Sequence, residues 1–118
     1  MKENGGSRAK LESLGGGRFR VSGVLDASTA RDVLEQSESR FAQSKVMGKE
    51  IHVDLGGVGE SDSAGLALLI EWLRVARQGG QAIRFANVPA QIGALARISE
   101  VEDLLGAGDK KPETKEPA

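Results

Sequence analysis

Cysteine is absent from the 118 residues, which excludes a disulfide, a thiolate zinc site and a cysteine nucleophile. This absence agrees with a reducing compartment, so we expect the cytoplasm. Aromatic residues make up only 3% of the sequence, which predicts a core packed mainly with aliphatic side chains. The single histidine, His52, falls on the polar side of a predicted strand, and we expect it to be half-exposed there.

The chain also lacks a strong net charge and a long apolar run. Its formal charge of −1 gives no global field that would attract nucleic acid or anionic lipid, and no local basic patch stands out. The longest apolar run, residues 64–70, is far shorter than the ~20 residues that cross a bilayer. Residues 1–10 contain no apolar segment of the signal-peptide type. We expect no nucleic-acid binding, no membrane insertion and no secretion.

The length fits one domain with a single core. Both ends differ in composition from the middle, because residues 1–8 are polar and glycine-rich and residues 106–118 combine charges with two prolines. These ends are predicted to be disordered, and residues 9–105 to form the domain.

Hydrophobic periodicity divides the domain into alternating strands and helices. The predicted elements are a hairpin, a helix, a strand, a helix, a strand and a helix, at residues 9–14 with 18–22, then 29–43, 51–55, 63–78, 81–86 and 89–98. The strand at 51–55 is expected at the centre of the sheet. This order favours the α/β class, with a mixed sheet of four to five strands covered by three to four helices.

Individual residues mark where these elements begin and end. Thr29 and Asp32 have the spacing of a capping box, and Ser99 with Glu102 repeats that spacing before a final short turn. The pair Gly56-Gly57 indicates a turn that ends the central strand.

The segment after the central strand is the natural place to look for a phosphate-binding loop. It lacks the Lys-Ser/Thr ending of a P-loop, and Glu60 and Asp62 stand where an anion would bind. No second base or apolar cleft accompanies these carboxylates, which is typical of solvated loop charges. The sequence therefore predicts neither an enzyme nor a cofactor or metal site.

Ser63 is the remaining candidate, at the start of the predicted helix 63–78. Its structural role is that of a helix N-terminal residue, either the cap itself or its neighbour. The positive end of the helix dipole would stabilise a phosphate on its hydroxyl, whereas Asp62 would oppose it. Phosphorylation would add about −1.5 to −2 charges, enough to switch the binding of a partner.

Two segments resemble the signature of STAS domains: VDLGGV at 53–58 and, three residues later, DSAGLALL at 62–69. The segment SGVLD at 22–26 is similar to the Gly-x-Leu-Asp sequence that follows the second strand in that family. The resemblance extends over about residues 19–105. It implies the STAS fold and a non-catalytic module that binds another protein.

Within the family, the closer resemblance is to MlaB-type subunits, through GLALLIEWL at 65–73, ARQGG at 76–80 and NVPAQ at 87–91. This implies a bacterial cytoplasmic subunit, held at the inner membrane by an MlaF-like ABC ATPase. Such a subunit supports a phospholipid transporter that maintains the lipid asymmetry of the outer membrane.

Ser63 matches the serine or threonine that is phosphorylated in anti-sigma factor antagonists and that lies at the ATPase contact in MlaB-like subunits. The partner-binding residues implied by the resemblance surround it: Glu60, Asp62, Ser63, Ala64, Gly65 and Leu66. The alternative interpretation is an anti-sigma factor antagonist, with an anti-sigma serine kinase as partner and phosphorylation of Ser63 as the switch.

Overall fold

The computed structural model describes residues 8–101, which form a four-stranded sheet with three helices. The elements, in chain order, are β1 (Ala9–Gly15), β2 (Arg18–Leu25), α1 (Ala30–Val46), β3 (Ile51–Ser61), α2 (Ser63–Gln78), β4 (Ile83–Ala86) and α3 (Ala90–Ile98). This is the predicted order, and the mixed α/β class with its strand and helix numbers is confirmed for these residues.

The strands lie side by side in chain order, β1-β2-β3-β4. β1 is antiparallel to β2, whereas β2, β3 and β4 are mutually parallel. β3 is therefore an interior strand, as predicted. Leu25 and Ser61, the last residues of β2 and β3, are paired, so the segments that follow them lie together at one edge of the sheet, whereas β4 ends earlier, level with Asp54.

The core lies between the helices and one face of the sheet. Most of its residues are aliphatic, as expected. All four aromatic side chains of the chain are nevertheless buried and in contact, with ring centroids 5.0 Å apart for Phe19 and Phe41, 5.4 Å for Phe41 and Trp72, and 6.4 Å for Trp72 and Phe85. The few aromatic residues thus occupy the centre of the packing.

β3 does not end at Gly56-Gly57, so the prediction of a turn there is wrong. The strand runs through Gly56-Gly57 to Ser61 and stays paired with β2. At each of two irregularities in the register, β3 has one residue more than β2. A Cβ atom on Gly57 would lie 2.9 Å from Ser22 Cβ and 3.0 Å from the carbonyl oxygen of Val21. Glycine at this position therefore serves the close approach of two strands.

The capping box predicted at Thr29 and Asp32 is also absent. Thr29 precedes α1, but its hydroxyl donates to the carbonyl of Val24 at 2.7 Å and accepts from the N–H of Asp26 at 3.0 Å. Asp32 instead accepts from the amide of Gln36 in the next turn. The Thr29 hydroxyl therefore closes the β2–α1 turn, and α1 extends three residues beyond its predicted end at residue 43, to Val46.

The ends predicted to be disordered, residues 1–8 and 106–118, lie almost entirely outside the described residues, as does the predicted domain boundary at 105. Arg8 is the exception, because its carbonyl accepts from Val24 N at 3.0 Å and extends the pairing of the hairpin. The second predicted capping box lies partly outside as well. Ser99 is the C-cap of α3, and Glu102 is not described. Between residues 8 and 101, none of the helices has the length and apolar character to span a bilayer.

Candidate functional site

The junction of β3 and α2 forms the centre of the candidate site. Asp62 caps α2, because its Oδ1 accepts from Ala64 N at 2.8 Å. The N–H of Asp62 donates to the carbonyl of Leu25 at 3.1 Å, which fixes the junction to the end of β2. Ser63 is the first residue of the helix and is not its cap. Of the two structural roles open to Ser63, the structure selects the neighbour of the cap.

Ser63 is exposed. Its hydroxyl has no hydrogen-bond partner among residues 8–101. The side chain therefore projects from the first turn of α2, where the helix dipole is positive, and is open to another molecule.

The six residues predicted to bind a partner separate into two groups. Glu60, Asp62 and Ser63 are exposed and Ala64 is partly exposed, whereas Gly65 and Leu66 are buried. The structure thus brings four of them to the surface of the junction, and the side chain of Leu66 faces the core.

Gly65 sets how closely α2 approaches its neighbours. A Cβ atom there would lie 3.3 Å from Ile92 Cδ1, 3.3 Å from Ser61 Cβ and 3.4 Å from Leu25 Cβ. The glycine thus lets the first turn of α2 pack against α3 and the ends of β2 and β3. Gly65 and Leu66 therefore position the exposed residues by packing against the core.

A second group of side chains, from the β2–α1 turn, joins this edge of the sheet. Asp26 Oδ1 accepts from Ser28 N at 2.9 Å and from Ser28 Oγ at 2.6 Å, and Asp26 Oδ2 accepts from Arg8 at 2.7 Å. The hydrogen bonds from Ser28, aided by the nearby Arg8 cation, hold the pKa of Asp26 below its ordinary value. The sequence includes Asp26 only as part of the segment at 22–26 that resembles the family, and no pattern in the sequence singles out Arg8.

Gln91, from the first turn of α3, is a third contributor that sequence reasoning missed. Its Oε1 accepts from the backbone N–H of Ser61 at 3.0 Å, one residue before the cap of α2. The hydroxyl of Ser61 is buried and has no hydrogen-bond partner within residues 8–101. Gln91 therefore ties α3 to the strand end that positions Ser63.

A further pair of side chains, Asp54 in the first half of β3 and Asn87 just after β4, joins these two strands where β4 ends. Asp54 Oδ1 accepts from Asn87 Nδ2 at 2.9 Å and from Gly56 N at 2.8 Å. These two hydrogen bonds, the one from Asn87 foremost, lower the pKa of Asp54. Asn87 has a φ of 57°, a left-handed conformation that asparagine tolerates better than most residues.

His52 lies near the start of β3, away from Ser63, on the face of the sheet opposite the helices. Its side chain is 49% exposed, as predicted, and its Nε2 is 3.1 Å from Glu50 Oε1. The surface around Ser63 instead carries the exposed carboxylates of Glu60 and Asp62. This arrangement presents an acidic patch around the Ser63 hydroxyl, which no group of the described part of the chain engages.

A mixed sheet with its helices packed on one face, and an exposed serine at a helix start where parallel strands end, are the features expected of a STAS-type domain. Comparison with family models agrees, since the model described as "Mlab, STAS domain" matches residues 12–106. The chain belongs to the STAS domain family. No curated protein matches it.

Proposed function

We propose that the protein is a non-catalytic subunit of a bacterial phospholipid-transporting ABC complex, and that it binds the ATPase of that complex through the exposed start of α2. The observation that carries the proposal is the position of Ser63, which is exposed beside the Asp62 cap and whose hydroxyl has no hydrogen-bond partner among residues 8–101. The description of the matching family model, which names MlaB, favours the transporter.

The charge of the surface indicates the chemistry of the partner. Glu60 and Asp62 flank Ser63 and are both exposed. Complementary interfaces place opposite charges face to face, so the ATPase surface should carry lysine or arginine side chains. In this arrangement the protein is cytoplasmic, and it reaches the inner membrane only through its partner.

Affinity purification from native membranes of the source bacterium tests the proposal. A tagged wild-type chain should recover an ABC ATPase, identified by mass spectrometry. Replacing Ser63 by arginine places a long cation in the contact and should weaken the complex by about 2 kcal/mol, or roughly thirtyfold. Ser39→Arg is the matched control, because Ser39 is an exposed serine on α1, outside the patch.

The two variants separate the possible outcomes. If both recover the ATPase as well as the wild type does, the contact does not include Ser63. If the wild-type chain recovers no ABC ATPase from membranes that contain one, the role in transport is wrong. Circular dichroism of both variants checks that the fold is retained.

The exposure of Ser63 also favours a second candidate, an anti-sigma factor antagonist controlled by phosphorylation. A kinase requires an accessible hydroxyl, and the hydroxyl of Ser63 is accessible. This function predicts a soluble serine kinase as the recovered partner and a phosphate on Ser63, both measured by mass spectrometry. Ser63→Asp should then abolish the kinase complex, whereas Ser63→Ala should preserve it.

A further inference from the structure

The sheet formed by the described residues has two edges, β1 on one side and β4 on the other. A strand at an edge presents a row of backbone N–H and C=O groups that have no partner strand, and this row can pair with a strand of another molecule. β4 has only four residues and therefore offers few such groups. β1 has seven, so it is the edge at which another strand would pair more extensively.

The pairing of β1 with β2 determines which groups of β1 face outward. In an antiparallel pair, one residue directs both its N–H and its C=O toward the partner strand, and the next residue directs both away. Leu11 is of the second kind, because its N–H and its carbonyl both bond side chains of α1. Ser13, two residues further in the same register, is of this kind as well. Leu11 and Ser13 therefore line the outer edge of β1.

Two side chains of α1 occupy this edge at Leu11. The N–H of Leu11 donates to Gln36 Oε1 at 3.1 Å, and the carbonyl of Leu11 accepts from Arg40 Nη1 at 2.7 Å. Gln36 and Arg40 are four residues apart, so they lie on the same face of the helix. Both groups that Leu11 would offer to an added strand are thus already bonded.

Asp32, one turn before Gln36, fixes the orientation of the Gln36 amide. Asp32 Oδ2 accepts from Gln36 Nε2 at 3.0 Å. Because a carboxylate accepts and does not donate, the amide nitrogen must face Asp32, and the amide oxygen then faces the N–H of Leu11. We call Asp32, Gln36 and Arg40 the edge-blocking row.

We propose that the edge-blocking row prevents β1 from pairing with β1 of a second copy of this chain. Antiparallel pairing about a two-fold axis at Leu11 would let the two Leu11 residues exchange both of their backbone hydrogen bonds. The same register places Lys10 of each copy opposite Glu12 of the other. Both side chains are exposed, and opposite charges directly across two strands attract. β1 is therefore self-complementary, and a second copy is the partner that the row excludes.

Sedimentation velocity of the full-length chain tests this proposal. Replacing Gln36 and Arg40 together by alanine exposes the edge at Leu11. We expect this double variant to reach twice the mass of the wild type, with a dimer fraction that rises with concentration. Arg31→Ala combined with Gln43→Ala is the matched control, because it removes one arginine and one glutamine from exposed positions of the same helix. The control should keep the wild-type mass.

Proline at position 13 distinguishes pairing through β1 from association elsewhere. Ser13→Pro removes an outward N–H of β1 and places a ring carbon there, while the bonds from β1 to β2 remain. Added to the double variant, it should restore the wild-type mass. Circular dichroism of every variant checks that the fold is retained. If the alanine pair does not fold, Gln36→Met with Arg40→Met keeps the side-chain length without the hydrogen bonds and is measured in the same way.

Two results would overturn the proposal. If the folded double variant keeps the wild-type mass at every concentration, Gln36 and Arg40 only tie α1 to the sheet. If it associates and Ser13→Pro does not reverse the association, the contact lies outside β1. A purely structural role would lower the unfolding midpoint without changing the mass, so the two readouts separate the roles. The purification test of Ser63 is unaffected by any of these results.

Discussion

Trp72 of α2 donates its indole N–H to the hydroxyl of Ser37 on α1, at 2.9 Å, inside the core. Both side chains are almost completely buried, with 2% and 1% of their surface exposed. Ser37 in turn donates to the carbonyl of Leu34 at 2.6 Å, so every polar group in this chain of hydrogen bonds is satisfied. The bond joins the two long helices at the centre of the aromatic cluster.

Ser37→Ala should therefore destabilise the protein more than a surface substitution does. The indole N–H would be buried without an acceptor, at a cost of about 1–3 kcal/mol. Urea denaturation measures this loss. Ser39→Ala, at an exposed position of the same helix, is the control and should stay within about 0.5 kcal/mol of the wild type. Equal stabilities of the two variants would mean that the bond contributes nothing.

Asp62 and Ser63 should differ in stability although they are adjacent. Asp62→Ala removes the cap of α2 and should cost about 1 kcal/mol. Ser63→Ala should be almost neutral, because the Ser63 hydroxyl makes no hydrogen bond within the described residues. Thermal or urea unfolding of both variants checks the assignment. A larger loss for Ser63→Ala would identify Ser63 as the cap after all.

Gly57→Ala should destabilise the sheet. The new methyl group would lie within 3.0 Å of Ser22 Cβ and the Val21 carbonyl, and relieving such overpacking costs about 1–3 kcal/mol. At Gly59, two residues along the same strand, a Cβ atom would meet nothing within 4 Å beyond its chain neighbours. Gly59→Ala should therefore be neutral or slightly stabilising, since it only restricts the unfolded chain. Equal unfolding midpoints in urea for the two variants would contradict the close approach of β2 and β3.

The hydrogen bond from Asn87 to Asp54 should make stability depend on pH. The pKa of Asp54 in the folded protein is below its ordinary value of 3.8. Its contribution is therefore fully present above 3.8 and is lost as the pH falls through the lower folded value. Asn87→Gly keeps the left-handed backbone but removes the amide.

In Asn87→Gly, the pKa of Asp54 should rise toward 3.8, as measured by NMR titration of its carboxyl carbon. The deficit in unfolding free energy relative to the wild type should be larger at neutral pH than in acid. The pKa of Asp26, which belongs to a separate group of hydrogen bonds, serves as the internal control. A deficit that does not change with pH would show that Asn87 acts only through its backbone.

Hydrophobic periodicity was sufficient for the order of strands and helices. The helix Ser63–Gln78 has the predicted bounds, because its apolar stripe is long and a glycine pair follows it. The wrong predictions concern residue types that can serve more than one structural role. The pair Gly56-Gly57 is typical of a turn, but here it allows a close strand contact, and Thr29 closes a turn instead of capping a helix.

By itself, the sequence determined the fold class, the amphipathic helix α2 and the place of Ser63 at its start, because these depend on local spacing along the chain. Only the tertiary structure decided which residues surround them. Gln91 reaches Ser61 from 30 positions away, and Asn87 reaches Asp54 from 33 positions away. Such contacts depend on the pairing register of distant strands, which local spacing does not specify.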